Sequence, residues 1–449
     1  MRNPPIVKGS ALWQLYQWSA RPLAYLENCA QRYGDCFVAN IGPYPNFVFF
    51  SNPEAIAQIF TANPDQFDVG RANQLVRSTT GDYSVLLLDG KPHERQRKLL
   101  MPPFHGDRMR AYGQLICLLT EQVAQQWQVG VPFKARSQMQ AISLLVILQA
   151  VFGLSEGDRL QQLKTSLEAS LEYMASPVFF PMAVLPTLRR GVGPWQPWQR
   201  HLNMIKAIDE LLYAEIRDRR QKPDLNRTDI LSLLLSARDE AGQPMSDVEL
   251  RDELITLLIA GHETTASALS WALYWIHTVP VVKQMLLKEL QSLGSDPNPS
   301  SIDHLPYLNA VVCETLRIYP ITPITGVRIA KTTIQIAGYE FEPETYLTPC
   351  VYLVHHREDL FPEPQHFKPE RFLERQFSPY EYLPFGGSNR RCIGAAFAMY
   401  EMKLVLATLL SRYQLELIED KPVVPTRRGV TIAPKGGVRI VVSGVRFHC

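Results

Sequence analysis

The sequence predicts a mainly α-helical fold with a smaller β-rich part, and three observations carry this. Between Ser246 and Pro280 the chain runs without proline, and from Leu254 to Ile276 it is apolar on nearly all sides, the mark of a helix buried in a core. Residues 11–33, 108–175 and 395–410 repeat their apolar positions every three to four residues, the period of amphipathic helices. Short strand-like runs bounded by turn residues gather at about 34–50 and 320–355.

Composition narrows the class. The chain has 449 residues, of which 46% are hydrophobic and 20% charged, as in a soluble globular protein. Length alone favours two domains, yet no Gly/Ser-rich linker, charge run or internal repeat marks a boundary, so a single unit over 1–449 is expected. A formal net charge of +2 argues against a nucleic-acid partner held by bulk charge. Seven cysteines, an odd number without C-x-x-C spacing, indicate neither a disulfide framework nor a zinc site, and a reducing cytoplasm is the expected compartment. The N-terminus lacks both the ~18–20 apolar residues of a membrane span and a secretory h-region. No membrane anchor is expected, and a monomer is.

Taken in order, residues 11–33 read as a helix stopped by Gly34. Phe37–Ile41 and Asn46–Phe50 flank the turn Gly42-Pro43-Tyr44-Pro45 as a β-hairpin, and Ser51-Asn52-Pro53-Glu54 opens a helix with proline at its first position. Residues 68–88 show no period and read as a long loop of the kind that carries function. In 89–103, His93 and Arg97 are four apart and share a helix face; alone, the segment reads as a solvated basic helix. Pro177 to Pro186 contains three prolines, which excludes a regular helix. With Trp195 and Trp198 it reads as a substrate lid or as a buried loop core. Ser246 with Glu249 forms a capping box for the long helix. About 33 residues at ~1.5 Å each make a rod on the order of 50 Å. Its middle is anomalous: Ala260-Gly261-His262-Glu263-Thr264-Thr265 sets a glycine, a carboxylate and helix-loosening threonines inside apolar surroundings, costly features without a role.

The chemistry concentrates at Phe385-Gly386-Gly387-Ser388-Asn389-Arg390-Arg391-Cys392-Ile393-Gly394. Glycines let the backbone pass close to something flat and bulky. The neighbouring arginines and the N-terminus of the following helix favour a thiolate at Cys392, and Arg390 and Arg391 suit an anionic group on whatever the sulfur binds. A thiolate held for one metal bond is what a thiolate-ligated haem requires.

This segment resembles the haem-binding signature of the cytochrome P-450 family, with Ser388 where the family usually has glycine. Four further stretches match in the family's order, so that the resemblance covers about residues 30–442. His93 and Arg97 correspond to the pair that binds haem propionates. Ala260-Gly261-x-x-Thr264 corresponds to the oxygen-activation segment, and Glu314-x-x-Arg317 and Pro369-Glu370-Arg371-Phe372 to a buried ion network of Glu314, Arg317 and Arg371 beneath the haem. The resemblance implies the cytochrome P-450 fold, with haem b between the long central helix and the cysteine loop and Cys392 as the iron's thiolate. It also implies that Thr264 hydrogen-bonds dioxygen with Glu263 as the adjacent acid, that Ala260 and Gly261 leave room above the iron, and that Phe385, Arg390 and, in a looser match, Arg328 contact the haem. His262 would point away from Thr264's face and is discounted as a second ligand. The matches around 89–113 are similar to soluble cyanobacterial members.

The activity implied is a monooxygenase inserting one atom of O2 into a hydrophobic small molecule: fatty acid, terpenoid or steroid-like. The candidate pocket is Val85, Leu86, Ala260, Pro323, Ile324 and Val430. The chain is too short to include a reductase, so a separate ferredoxin or flavodoxin would donate electrons, with Lys91, Arg95, Lys98 and Arg391 as a basic docking face. The alternatives are a peroxygenase or isomerase of the same family and a non-catalytic haem sensor.

Overall fold

A computed structural model describes residues 3–104, 106–153, 157–176, 179–189, 196–224, 226–294 and 297–446. It is mostly helical with small sheets, as the periodicities predict. The central helix spans Asp247–Thr278, ~48 Å at 1.5 Å per residue. Its capping box is formed as expected: Ser246 N donates to Glu249 Oε2 at 2.7 Å and Glu249 N to Ser246 Oγ at 3.2 Å. This helix packs chiefly on Ala135–Phe152 and also on Pro197–Gln221, Pro306–Ile318 and Ala395–Arg412. Together they enclose the largest apolar core, with Trp271, Leu258, Ile147, Leu308 and Leu404 fully or almost fully buried. Ala135–Phe152 is long and apolar enough to cross a membrane by composition, but two thirds of it is buried within the protein.

The two strand-rich stretches join one sheet. Its order is Cys36–Ile41, Tyr44–Phe50, Tyr346–Pro349, Arg328–Ala330, Phe67–Asp68. The first pair is the expected antiparallel hairpin, and Tyr44–Phe50 runs parallel to Tyr346–Pro349 with Phe47 opposite Tyr346. The ring of Phe47 stacks on that of Tyr346 at 4.7 Å, the kind of cross-strand aromatic pair that stabilises a sheet.

Three local expectations are corrected. Residues 11–33 form two helices, Ala11–Ala20 and Pro22–Tyr33, because Pro22 cannot donate into the first and instead starts the second. The run Leu347–Val354 is strand only to Pro349 and then turns into the helix Val351–His355; both halves are buried, and a continuous apolar run does not distinguish the two states. Pro181 lies inside a short helix, Phe179–Val184, where it occupies the first turn and its missing N–H costs nothing. Phe179, Met182 and Ala183 are buried against Trp198, so this segment carries a small core of its own; Trp195 lies outside the described residues.

One buried acid has a measurable consequence. Glu401, on the helix Ala395–Arg412, is buried with no protein partner for Oε1. Burial pushes its carboxyl up to about 8, with the Ser143 hydroxyl pulling the other way. A carboxyl whose folded value is raised binds more protons folded than unfolded, so stability falls as pH rises from the ordinary value of about 4.5 toward about 8. We expect Glu401→Gln to remove that decline, which has a slope of up to about 1.4 kcal/mol per pH unit. Urea unfolding of both proteins across this window checks it; a difference that stays flat with pH refutes it.

Candidate haem site

The cysteine loop is closed by the Cys392 N–H donating to Phe385 O at 2.9 Å. Gly386 has φ +67°, and a Cβ there would meet Thr325 Oγ1 at 2.6 Å; a Cβ on Gly387 would meet the Phe60 ring, also at 2.6 Å. These glycines let the loop lie directly on its neighbours. Ser388, where the family usually has glycine, holds φ +60°, so the turn is kept with a side chain in the left-handed region. Cys392 stands just before the helix Ala395–Arg412 and its side chain is exposed, although protein surrounds it closely. Burial pushes its thiol up, while the Gly394 N–H, Arg97 and Arg391 pull it down. The nearby cations favour the thiolate as expected, but in the polypeptide alone burial outweighs them; a bound metal deprotonates a coordinating thiol outright.

Around this loop four basic side chains converge. Arg97 Nη1 donates to Arg391 O at 2.8 Å. Arg390 Nη2 donates to Leu88 O and to Asp89 Oδ1, both at 2.6 Å, and its Nη1 to Val85 O at 3.2 Å, leaving Nε buried without a partner. Arg328 is buried against the rings of Phe60 and Phe67. His93 is buried too, so this helix face is not the solvated one that the segment alone suggests. Burial, then Arg390 and Arg97, push His93 down to about 4; burial and Arg390 push Arg328 down to about 10. Arg390 is pushed down to about 10 by burial, with Asp89 opposing and Arg97 adding. Among the described residues Asp89 is the one carboxylate that pairs with any of the four. Three guanidiniums and an imidazole against one acid, with a buried guanidinium N–H unpartnered, fit a ligand that brings further carboxylates, as haem does with its two propionates.

The central helix passes unbroken through Ala260–Thr265. Ala260 is exposed although Leu254–Thr256 and Thr265–Ala268 on either side are buried. Thr264 Oγ1 donates to Ala260 O at 2.6 Å, the backbone contact its type favours in a helix. Glu263 turns to another side, where it pairs with Arg136 and accepts from Gln140 Nε2 at 3.0 Å, with Arg428 Nε at 3.9 Å. His262 is buried with Nε2 3.1 Å from Gln140 O, away from Thr264. A Cβ on Gly261 would lie 3.2 Å from Ile147 Cδ1, so this glycine serves close helix packing, and the open side belongs to Ala260.

The family profile for cytochrome P450 matches residues 3–440. The chain belongs to the cytochrome P-450 family. Curated relatives include cytochrome P-450 135B1 of Mycobacterium bovis and Mycobacterium tuberculosis, 38% identical over 99% of this chain and 92% of theirs. Cytochrome P-450 135A1 of Mycobacterium tuberculosis is 33% identical over 93% of this chain and 90% of its own. Among solved structures, a retinoic acid-bound cyanobacterial CYP120A1 superposes with TM-score 0.85 at 23% identity, covering 99% of both chains; the cytochrome P-450DA haem domain gives 0.85 at 22%, covering 99% of this chain and 98% of its own. These two establish likeness of fold. The enzyme is thus a bacterial-type cytochrome P-450 monooxygenase, an oxidoreductase whose cofactor is protohaem with a cysteine thiolate on iron.

In this P-450 the E-x-x-R glutamate and arginine are both fully buried. Arg317 Nε donates to Glu314 Oε2 at 2.6 Å and Nη2 to Oε1 at 2.8 Å; Arg371 Nε and the Lys368 N–H reach Oε1 at 3.2 and 2.8 Å. Arg317 also donates to His355 O at 2.8 Å. Of the candidate pocket residues, Val85 and Pro323 are buried, Ile324 is half-buried, and Leu86, Ala260 and Val430 are exposed.

Sequence reasoning missed how the loop before the cation cluster is held. Asp252 accepts from Tyr83 N at 2.8 Å, Glu253 from Val85 N at 2.8 Å, and Thr256 Oγ1 donates to Ser84 Oγ at 2.8 Å. Val85 is therefore fixed at both ends of its peptide, by Glu253 at N–H and Arg390 at C=O. The available signal was spacing: Glu253, Thr256, Ala260 and Thr264 recur at three to four residues and share a face. A cleft of about 730 Å³ lies beside the same loop, lined by Tyr44, Leu75, Tyr83, Arg189, Tyr213 and Arg251 among others. It includes neither Cys392 nor Thr264, so the cysteine loop and the central helix, not this cleft, mark the site of chemistry.

Proposed function

We propose that this P-450 hydroxylates a hydrophobic small molecule of fatty-acid, terpenoid or steroid-like character, with Cys392 as the iron's thiolate. The observation that carries this reading is the convergence of Arg97, Arg390, Arg328 and His93 beside the cysteine loop with a single acid among them, the electrostatic complement of a dianionic haem. The haem supplies the oxygen-activating redox chemistry when bound. The chain's part is positional. Arg97, Arg390, Arg328 and His93 would hold the propionates, and the Gly386–Gly387 turn sets the cysteine loop against Thr325 and Phe60. Thr264 Oγ1, its proton lent to Ala260 O at rest, turns to donate on the open side of Ala260. Glu263, held on another side of the helix by Arg136, Gln140 and Arg428, would have to turn from that pair to serve as the acid that replenishes Thr264. The substrate wall of Val85, Leu86, Ala260, Pro323, Ile324 and Val430 is mostly apolar, and this supports a hydrophobic substrate.

Thr264→Ala is the test. Electron-donor oxidation should continue while product per electron falls about tenfold or more, the balance leaving as hydrogen peroxide. A protein that only senses a gas, or one that runs on peroxide without a donor, would be indifferent to this change, and unaltered coupling would reject the proposal.

Electrons come from a separate ferredoxin or flavodoxin. Of the four cations expected to receive it, Arg95 is engaged by Asp239 at 2.6 Å and by Glu249, and Lys98 by Glu240 at 2.7 Å. That leaves exposed Lys91 and Arg391 as the docking pair. Charge reversal at both should slow first-electron transfer several-fold at low salt and much less at high salt; equal rates in stopped flow would remove them from the interface. A reducing cytoplasm is the proposed location, where the six cysteines that are free among the described residues would stay reduced.

A further inference from the structure

The helix Ala11–Ala20 is built inside out. Its buried face carries a glutamine, Gln14, fully enclosed, while its outward face carries Leu12, Trp13 and Tyr16 at 72%, 47% and 65% exposure. Isolated exposed apolar residues need no explanation; three large ones on one face of a ten-residue helix that contains no charged residue do.

The orientation is locked. Gln14 Nε2 donates to Val7 O and Gly9 O at 3.3 and 3.1 Å, and its Oε1 accepts from Tyr25 OH and Asn40 N, both at 3.0 Å. All of its hydrogen-bonding capacity for these neighbours is used, and rolling the helix to bury Leu12 or Tyr16 would break four bonds in a buried place. Trp18 is buried on the same inner side against Phe49, and Leu15 packs so closely on Gly42 that a Cβ there would lie 2.8 Å from it. The apolar face is thus held toward solvent by the fold.

Charge tells what covers it. No Asp or Glu occurs from Asn3 to Leu26, whereas Lys8 and Arg21 flank the helix on either side and are exposed. Ile6 is exposed as well, in the segment leading into the helix. A short helix with Leu, Trp and Tyr outward, framed by cations and free of anions, has the make-up of an element that lies in the headgroup layer of an anionic membrane. Tryptophan and tyrosine suit that layer because one end of each ring is apolar and the other polar. We propose that Leu12, Trp13 and Tyr16, with Lys8 and Arg21, form a peripheral docking surface for an anionic lipid bilayer. Three side chains give reversible association, not an anchor.

The haem-loaded protein should co-sediment with phosphatidylglycerol-containing vesicles, less so with phosphatidylcholine alone, and half-molar salt should release it. The triple change Leu12→Ser, Trp13→Ser, Tyr16→Ser should lower partitioning roughly tenfold or more while the carbon monoxide spectrum of the reduced protein stays that of the parent. Lys8→Glu with Arg21→Glu should abolish the preference for anionic lipid. The proposal fails if the parent stays in the supernatant or the triple variant pellets like it. It fails equally if neither binds vesicles but the parent, unlike the variant, forms a concentration-dependent dimer in the ultracentrifuge; the face would then be a contact between copies. None of these readouts depends on the substrate or on catalysis.

Discussion

Glu314→Ala should cost about 3–5 kcal/mol of stability, the penalty for leaving buried cations without their acid. The expectation follows from how many groups lean on one carboxylate. Arg317 binds both of its oxygens, Arg371 and the Lys368 N–H share one of them, and Glu314 and Arg317 are fully buried. Arg317 would keep His355 O but lose its counter-charge in a fully buried place. Denaturant unfolding of the haem-loaded protein measures the loss, and Glu314→Gln divides it, since an amide keeps an acceptor for Lys368 N–H while losing the charge. A loss below about 1 kcal/mol for the alanine variant would mean that the network is far better solvated than its burial indicates.

The second large effect is at Cys392. Cys392→Ser should remove the long-wavelength Soret band that the reduced, carbon monoxide-bound protein gives with a thiolate ligand, and reduce turnover to background, because a hydroxyl is not ionised by this setting and pushes less electron density onto iron. Serine preserves volume and leaves the Cys392 N–H bond to Phe385 O available, so the loop itself should persist. Spectra of the two proteins at equal haem content decide it. A serine variant that kept the thiolate band would mean that another of the cysteines holds the iron.

How much of this was legible in the amino-acid order depends on whether a feature is local. The capping box at Ser246 and Glu249, the helix opened by Asn52 and Pro53 and the glycine turn before Cys392 are written in a few adjacent residues, and each formed as expected. The central helix announced itself by length and by apolarity on all sides. What the order concealed was tertiary. Arg95 reads as a surface cation until Asp239, 144 residues on, is brought beside it. Gly261 reads as space for a ligand until the helix Ala135–Phe152 arrives and Ile147 takes that side. Burial made the boundary at Cys350 illegible, since strand and helix there are equally apolar, and burial also reversed the balance at Cys392, where counting neighbouring cations omits the cost of enclosing a charge.

The sheet that joins Tyr44–Phe50 to Tyr346–Pro349 also sets an order of events during synthesis. Its two halves are separated by about 300 residues, which a ribosome adding 5–20 residues per second needs roughly 15–60 s to supply. Through that interval the N-terminal hairpin has a partner on one side only, and the outer edge of Tyr44–Phe50 presents an unpaired row of backbone groups between aromatic side chains. Slow, non-local closure of this kind exposes a nascent chain to aggregation. Yield of the intact enzyme should therefore be governed less by the stability of the finished core than by how well that edge is shielded until Pro349 has emerged.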